Sequence, residues 1–301
     1  MKKVLLLGAS GFIGQGVYEL LRQEQDLRVT RHSRSPKAGF AVCEVGSTAF
    51  IELVRDHDFI VNCTGIGLSR LGTSRANNET LTQQIMASIR VGPLDKKNLF
   101  HLSSVKAYNP EKRRDAYADD KWAAEQVIRA NDHKVQGVIL RVPTVLGRHD
   151  KNLLPMISMC KLKLLPLVTS ELPALHVIGV ESIARSILQW LSRPPERTLQ
   201  TCYLLSDDTV TYNDLVDEVY RRLQGAEGRA RLRTVRVRTL FRIYKVLSFV
   251  DAFRRQRKLF PWARFNDLFV YPWRVEKDVR VIMTRSTLSV LVGAYFENVQ
   301  D

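Results

Sequence analysis

The stretch DAYADDKWAAEQ (residues 115–126) sets Tyr117 and Lys121 four residues apart, a spacing that puts two side chains on one face of a helix. A phenol and an ammonium so placed suit proton transfer. The phenol titrates near ~10 in water and needs a neighbouring positive charge to work closer to neutrality. Spacing alone decides little, because Tyr108 and Lys112 repeat it. Pro110 lies between that second pair, and proline removes a helical hydrogen bond and clashes with the preceding turn, so Tyr108 and Lys112 are not expected to share a helical face. No breaker separates Tyr117 from Lys121, and AAEQVIRA continues the helix. Just upstream, HLSSVKAY (101–108) ends an apolar run on Ser103 and Ser104, hydroxyls at the carboxyl end of a fifth strand, where active sites of open α/β sheets gather.

A second chemical signal lies near the start. GASGFIG places Gly8, Gly11 and Gly14 between an apolar run and a helical pattern. Glycines there permit a tight turn, close backbone approach to a pyrophosphate and anion binding at a helix N-terminus. Gly8, Ser10, Gly11, Phe12, Ile13 and Gly14 are therefore expected to hold a dinucleotide. Its identity should be read at the end of the second strand, where an acid binds the adenosine ribose and arginine accommodates a 2′-phosphate. VTRHSRSP has no acid there but offers Arg31 and Arg34, which favours NADP(H); the alternative is NAD(H), with both arginines on a solvated loop.

These groups need a scaffold, and apolar runs alternate with helical patterns to supply one. Strands are expected at 3–8, 27–33, 40–45 (weaker), 59–65, 98–104 and 137–143, with helices at 11–22, 48–56, 76–90 and 115–130. The strands are apolar on both faces, which argues an α/β fold with a doubly wound parallel sheet covered by helices. After Gly147 the rhythm changes: 151–173 carries Pro155, Pro166 and Pro173 and suggests an irregular insertion. ALHVIGV (174–180), a helix from Glu181 to Trp190 and TCYLLS (201–206) look like a return to the body, followed by a helix at 211–224. The expected organisation is a dinucleotide-binding Rossmann domain over 1–150, rejoined by 174–205, and a smaller, interleaved C-terminal substrate lobe within 151–301.

Composition excludes several classes. The apolar run at Val4–Leu7 is cut off by Gly8, too short for a signal peptide, and no stretch reaches the ~18 apolar residues of a spanning helix. Four scattered cysteines (Cys43, Cys63, Cys160, Cys202) fit a reduced, cytoplasmic setting better than a disulfide framework. No metal is expected: DHD (56–58) sits at a helix-to-strand turn, the histidines are dispersed, and His176 reads as a core-edge residue.

Taken in order, GASGFIG, NCTG after strand four, HLSSVKAY, YADDK, RVPTVLG after strand six and LHVIGVESIA resemble the extended short-chain dehydrogenase/reductases, the NAD(P)-dependent epimerase/dehydratase family. The likeness spans residues 1 to about 220. It implies oxidation or reduction at a carbinol or carbonyl carbon. In that scheme Tyr117 is the general acid/base, Lys121 lowers its pKa and holds the nicotinamide ribose, and Ser104 hydrogen-bonds the substrate oxygen. Thr64 and Gly65 line the cofactor, and Glu44 and Val45 flank adenine. Three departures stand out: Asp120 precedes the lysine where serine or threonine is frequent and is placed to pair with Lys121; Pro143 stands where many nucleotide-sugar members carry asparagine; and CEVGS replaces the usual aspartate-containing stretch.

The net charge of +15 is uneven, with 16 Lys/Arg against 7 Asp/Glu over residues 225–301. Such a surface suits anions: phosphates, acidic lipids or nucleic acid. Within 239–274, Leu240, Ile243, Tyr244, Leu247, Val250 and Phe253 follow helical spacing among arginines, as a cleft cover or a peripheral membrane contact would; nucleic acid is not expected, since no recognised module accompanies the charge. The readings that follow are an NADP(H)-dependent oxidoreductase or epimerase acting on a nucleotide-sugar, a reductase of a lipid-like or steroid-like carbonyl at a membrane surface, and a non-catalytic NADP-binding scaffold. An oligomer is compatible with each.

Overall fold

The structure is a computed structural model of the 301-residue chain and describes residues 1–65, 78–92, 95–108, 116–147, 150, 153–229, 234–242, 269 and 274–296. Apolar runs form strands β1 (Lys2–Leu7), β2 (Leu27–Ser33), β3 (Ala41–Val42), β4 (Phe59–Asn62), β5 (Lys97–Ser104) and β6 (Val135–Val142). Between them run helices α1 (Phe12–Leu21), α2 (Thr48–Arg55), α3 (Asn78–Ser88) and α4 (Ala116–Arg129). Ser47 starts α2 by accepting the Phe50 N–H, a side-chain N-cap. The third strand is shorter than its sequence suggested: Gly39 and Gly46, both at positive φ, turn the chain on either side of it.

The remaining elements are β7 (Thr144–Leu146), α5 (Leu154–Lys161), β8 (Leu167–Val168), β9 (Leu175–Gly179), α6 (Val180–Ser192), β10 (Leu199–Ser206), β11 (Thr209–Val210), α7 (Tyr212–Arg229), β12 (Thr234–Val235), β13 (Arg280–Thr284) and α8 (Leu288–Phe296). Eight strands form one sheet in the order β13-β10-β6-β5-β4-β1-β2-β3, and every pairing is parallel. The expected doubly wound sheet is thus present. Helices α1 and α6 bury Val17, Leu21, Ile183 and Ile187 on one face, while Phe50, Val54, Ile85, Met86 and Ile128 from α2, α3 and α4 fill the other. Trp190 of α6 wedges against Phe59 and Phe100, each ring 5.4 Å away, and truncating so buried an aromatic costs about 3–5 kcal/mol.

The strand order reverses between β1 and β4, since β2 lies to one side of β1 and β5 to the other side of β4. A crevice opens beyond the carboxyl ends of such a pair, and ligands of open α/β folds bind there.

A second core gathers Leu153, Ile157, Val177, Tyr212, Val216, Val219, Tyr220 and Val292 around a three-stranded sheet ordered β11-β9-β7 and a two-stranded one, β12-β8. Two local expectations change here. Residues 151–173 hold a helix rather than an irregular insertion, because Leu153, Ile157 and Cys160 fall on one buried face that outweighs the prolines. Strand β9 joins the small sheet instead of the large one, although its Ile178 packs in the body. The large sheet's edge strand β13 comes from the chain's last quarter, where five residues amid basic neighbours gave no sequence signal. Of the basic aromatic stretch, 243–268 and 270–273 lie outside the described residues, Ile243, Tyr244, Leu247, Val250 and Phe253 among them, as do Pro110 and Lys112. Leu240 and Phe241 pack on the second core, and Phe269 lies 4.7 Å from the Tyr212 ring. Among the described residues no helix is long and apolar enough to cross a membrane.

Candidate active site

The glycine loop closes on the exit of β4. Gly8 turns with φ +76°, and a Cβ there would lie 2.7 Å from the Cys63 carbonyl and from the Thr64 nitrogen. A Cβ on Gly14 would come within 2.2 Å of the Gly8 carbonyl oxygen, so neither position admits a side chain. The Gly11 N–H donates to the Gly8 carbonyl at 2.9 Å, which fixes the turn. Gly11 is also the N-cap of α1 and makes no side-chain cap, so the first-turn N–H groups at Phe12 and Ile13 stay available to an anion. Ser10 and Gly11 are exposed at the mouth of the loop. The cradle fits a pyrophosphate.

At the β4 exit, the Thr64 N–H and hydroxyl both donate to Asn62 Oδ1, at 3.0 and 2.5 Å. That fixes the amide's orientation, so Asn62 Nδ2 donates to His101 Nδ1 at 3.0 Å across the β4–β5 pair. His101 must then carry its proton on Nε2, a buried atom with no partner among the described residues. Burial pushes its pKa down to about 3. Neither Asn62 nor His101 was singled out from sequence; a histidine between Phe100 and Leu102 in an apolar strand was the available signal.

Lys121 is 6% exposed, and its Nζ donates to the Leu102 carbonyl of β5 at 3.3 Å. A Cβ on Gly65 would lie 3.2 Å from that Nζ, so the ammonium sits against the β4 exit loop. Burial lowers its pKa, opposed by the charges of Asp120, Glu125 and Cys63. Tyr117, half-buried, stands one turn earlier on α4, with the Lys106 Nζ 5.9 Å from its ring centroid. Asp120 does not pair with Lys121 as its position suggested. Its carboxylate accepts the N–H groups of Asn78 and Glu79 and the Asn78 side-chain amide, at the N-terminus of α3. Unfilled N–H groups and the helix dipole make that end the better partner for a carboxylate.

The two serines separate by role. The Ser103 hydroxyl donates to Glu125 Oε1 at 2.6 Å, inside the layer under α4. The Ser104 oxygen accepts the Lys106 N–H at 3.3 Å, and its proton has no acceptor among the described residues. Glu125, fully buried, also receives Arg141 Nε at 3.0 Å and Nη2 at 2.7 Å. Arg141 Nη1 donates to the Tyr203 hydroxyl at 2.8 Å and to Glu276. Sequence reading missed this network, although Glu125 follows Lys121 at i+4.

At the end of β2, Arg31 and Arg34 differ. The Arg31 guanidinium lies 4.2 Å from the Tyr18 ring centroid and 4.3 Å from that of Phe40, whereas Arg34 is exposed. Glu44 is exposed, and Val45 packs against the core cluster lined by α2 and α3. The remaining candidates are in structural use: Asp58 Oδ2 accepts the Lys3 N–H at 2.8 Å, the His57 ring bridges the Leu53 carbonyl and the Thr30 hydroxyl, and His176 Nδ1 bonds the Ser206 carbonyl at 2.9 Å.

A family model for the NAD-dependent epimerase/dehydratase family matches residues 4–194. No curated protein matches the chain. Among solved structures, UDP-N-acetylglucosamine 4-epimerase from Bacillus cereus is similar with TM-score 0.67 at 14% identity, over 99% of this chain and 96% of that one. UDP-glucuronic acid 4-epimerase from Bacillus cereus, solved with UDP-glucuronic acid and NAD, gives 0.67 at 15% over 99% of both chains. The terminal R domain of the myxalamid PKS-NRPS pathway gives 0.66 at 18%, over 99% of this chain and 90% of that one.

Proposed function

This chain belongs to the NAD-dependent epimerase/dehydratase family, and from that premise we propose that it oxidises or reduces a carbinol or carbonyl carbon of a nucleotide-sugar with NADP(H) as the preferred cofactor. The observation that carries the reading is the meeting of the glycine loop, the Thr64–Gly65 exit and the buried Lys121 ammonium at the point where strand order reverses. Nucleotide-sugar epimerases of the same fold support the substrate class. For the cofactor, Arg31 is held between two aromatic rings with its charge at the end of β2, where no carboxylate competes for a ribose; a guanidinium so fixed suits a 2′-phosphate. Gly8, Ser10, Gly11, Phe12, Ile13 and Gly14 hold the pyrophosphate, Thr64, Gly65 and Lys121 the nicotinamide half, and Glu44 and Val45 border adenine.

The dinucleotide, when bound, supplies the hydride acceptor or donor. Tyr117 moves the proton at the substrate oxygen, and Ser104 donates a hydrogen bond to that same oxygen with its uncommitted proton. Lys121, one turn from Tyr117, stabilises the phenolate; among the described residues its hydrogen-bond partner is the Leu102 carbonyl rather than a carboxylate.

The test is a thermal-shift and turnover screen with NAD, NADP and UDP-sugars. Tyr117→Phe should lower turnover by about 10²–10⁴-fold while cofactor still raises the melting temperature. Unchanged turnover in that variant would remove Tyr117 from the chemistry, and equal shifts with NAD and NADP would remove the preference assigned to Arg31.

A further inference from the structure

Helix α5 and the turn after it carry an exposed apolar face. Leu153, Ile157 and Cys160 point into the second core, yet Leu154, Met159, Leu162 and Leu164 are 46, 39, 69 and 60% exposed. On a 3.6-residue period Leu154, Ser158 and Leu162 form a stripe facing away from the buried one, so the helix and its turn present Leu154, Met159, Leu162 and Leu164, with Ser158 between them, on a side that is not packed. The turn adds a second observation. The Leu164 N–H donates to the Met159 carbonyl and the Lys163 N–H to the Cys160 carbonyl, both at 2.9 Å, a helix ending whose left-handed residue is normally glycine. Here that residue is Lys163, at φ +56°. Backbone strain is accepted where glycine would relieve it, and the result is Lys161-Leu162-Lys163-Leu164 displayed at the tip.

The two chain stretches nearest this face are rich in cations. Residues 151–170 contain three lysines and no Asp or Glu, and residues 228–250 contain seven Lys/Arg and no Asp or Glu. The fold brings the two stretches together, because β12 pairs with β8 and the Thr169 N–H donates to the Val235 carbonyl at 3.0 Å. Arg236 and Arg238, both exposed, follow directly. A protein partner could match the leucines alone. An exposed leucine cluster flanked by Lys161, Lys163, Arg236 and Arg238 matches an anionic bilayer, which takes apolar side chains at its interface and cations at its headgroups.

We propose that the 154–164 face, flanked by Lys161, Lys163, Arg236 and Arg238, docks this protein peripherally on an anionic lipid surface. It does not depend on the catalytic reading. The test is co-sedimentation of the full chain with phosphatidylcholine vesicles, with and without phosphatidylglycerol. Binding should require the anionic lipid and weaken with salt. Leu162→Glu/Leu164→Glu and Lys161→Glu/Lys163→Glu should each lower partitioning at least about tenfold, with the melting temperature kept because all four side chains are exposed. Lys163→Gly, which relaxes the turn and removes one charge, should raise the melting temperature and weaken binding severalfold. Absence of binding to anionic vesicles at low salt overturns the proposal, as does equal binding by both double variants. A wild-type dimer that Leu162→Glu/Leu164→Glu converts to monomer, with no vesicle binding in either, assigns the face to a second copy instead.

Discussion

Lys121 and Arg141 are two buried cations, 6 and 3% exposed, that lie under the same helix and are treated in opposite ways. Arg141 receives a bidentate carboxylate from Glu125, a second carboxylate from Glu276 and the Tyr203 hydroxyl, and these partners raise its pKa despite its burial. Among the described residues the Lys121 Nζ bonds one carbonyl, and burial lowers its pKa. Glu125 stands at i+4 from Lys121 and could have served it, but turns to β6 instead; Asp120, adjacent in sequence, turns to α3. A charge surrounded by counter-charges holds elements together, whereas one left under-satisfied keeps its field for something else in the crevice. The first binds α4 to β6 and β10; the second makes a single hydrogen bond, to β5, among the described residues.

The contrast can be broken most forcefully at its satisfied end. Arg141→Met leaves Glu125 buried without its main partner and should cost about 3–5 kcal/mol in urea unfolding, while adding Glu125→Leu should recover most of the loss. Wild-type stability in Arg141→Met alone would mean that the network does not hold the helix. The next effect is acid lability. His101 has a folded pKa of about 3 against 6.5 unfolded, so the unfolded chain takes the proton first and stability falls as pH drops from ~6.5 towards 3, by at most about 5 kcal/mol. His32 and His57, also lowered by burial, act in the same direction. In His101→Gln the acid limb of a stability–pH profile should be shallower; an unchanged slope would exonerate His101.

Lys121→Met sharpens the comparison from the other side. Removing a charge whose folded pKa is depressed takes away a cost present below that pKa, so stability near neutral pH should not fall, while cofactor binding is lost. In the wild type the same shift makes stability rise with pH towards 10.5. A loss as large as that of Arg141→Met would erase the distinction between the two cations. The smallest effect is expected at the end of β2: Arg31→Ala should cost about 1 kcal/mol of stacking against Tyr18 and Phe40, and Arg34→Ala less than about 0.5. Equal melting temperatures would show that the stacking contributes nothing.

Much of the fold could be read along the chain. β2 falls on 27–33 as expected and α4 within one residue of 115–130, because alternation and periodicity are properties of neighbours. Five-residue β13 could not be read, since its partner β10 lies some 80 residues upstream and only that pairing makes it a strand. The site divides in the same way. Tyr117 and Lys121 were legible from one helical turn and Gly8 to Gly14 from their spacing, but Asn62 and His101 acquire meaning only in the β4–β5 register.

By itself, then, the sequence determined where the chain turns, which segments are strands or helices, and that a phenol and an ammonium share a helical face. Steric demands on glycine and the geometry of one helical turn act within a few residues and need no fold to express them. Only the tertiary structure decided which charges are matched. It gave Glu125 to Arg141 and Asp120 to α3, laid Arg31 between two rings, and left Lys121 with a carbonyl. Electrostatic partnership depends on distance and burial after the elements have packed, and neither quantity is written in residue order.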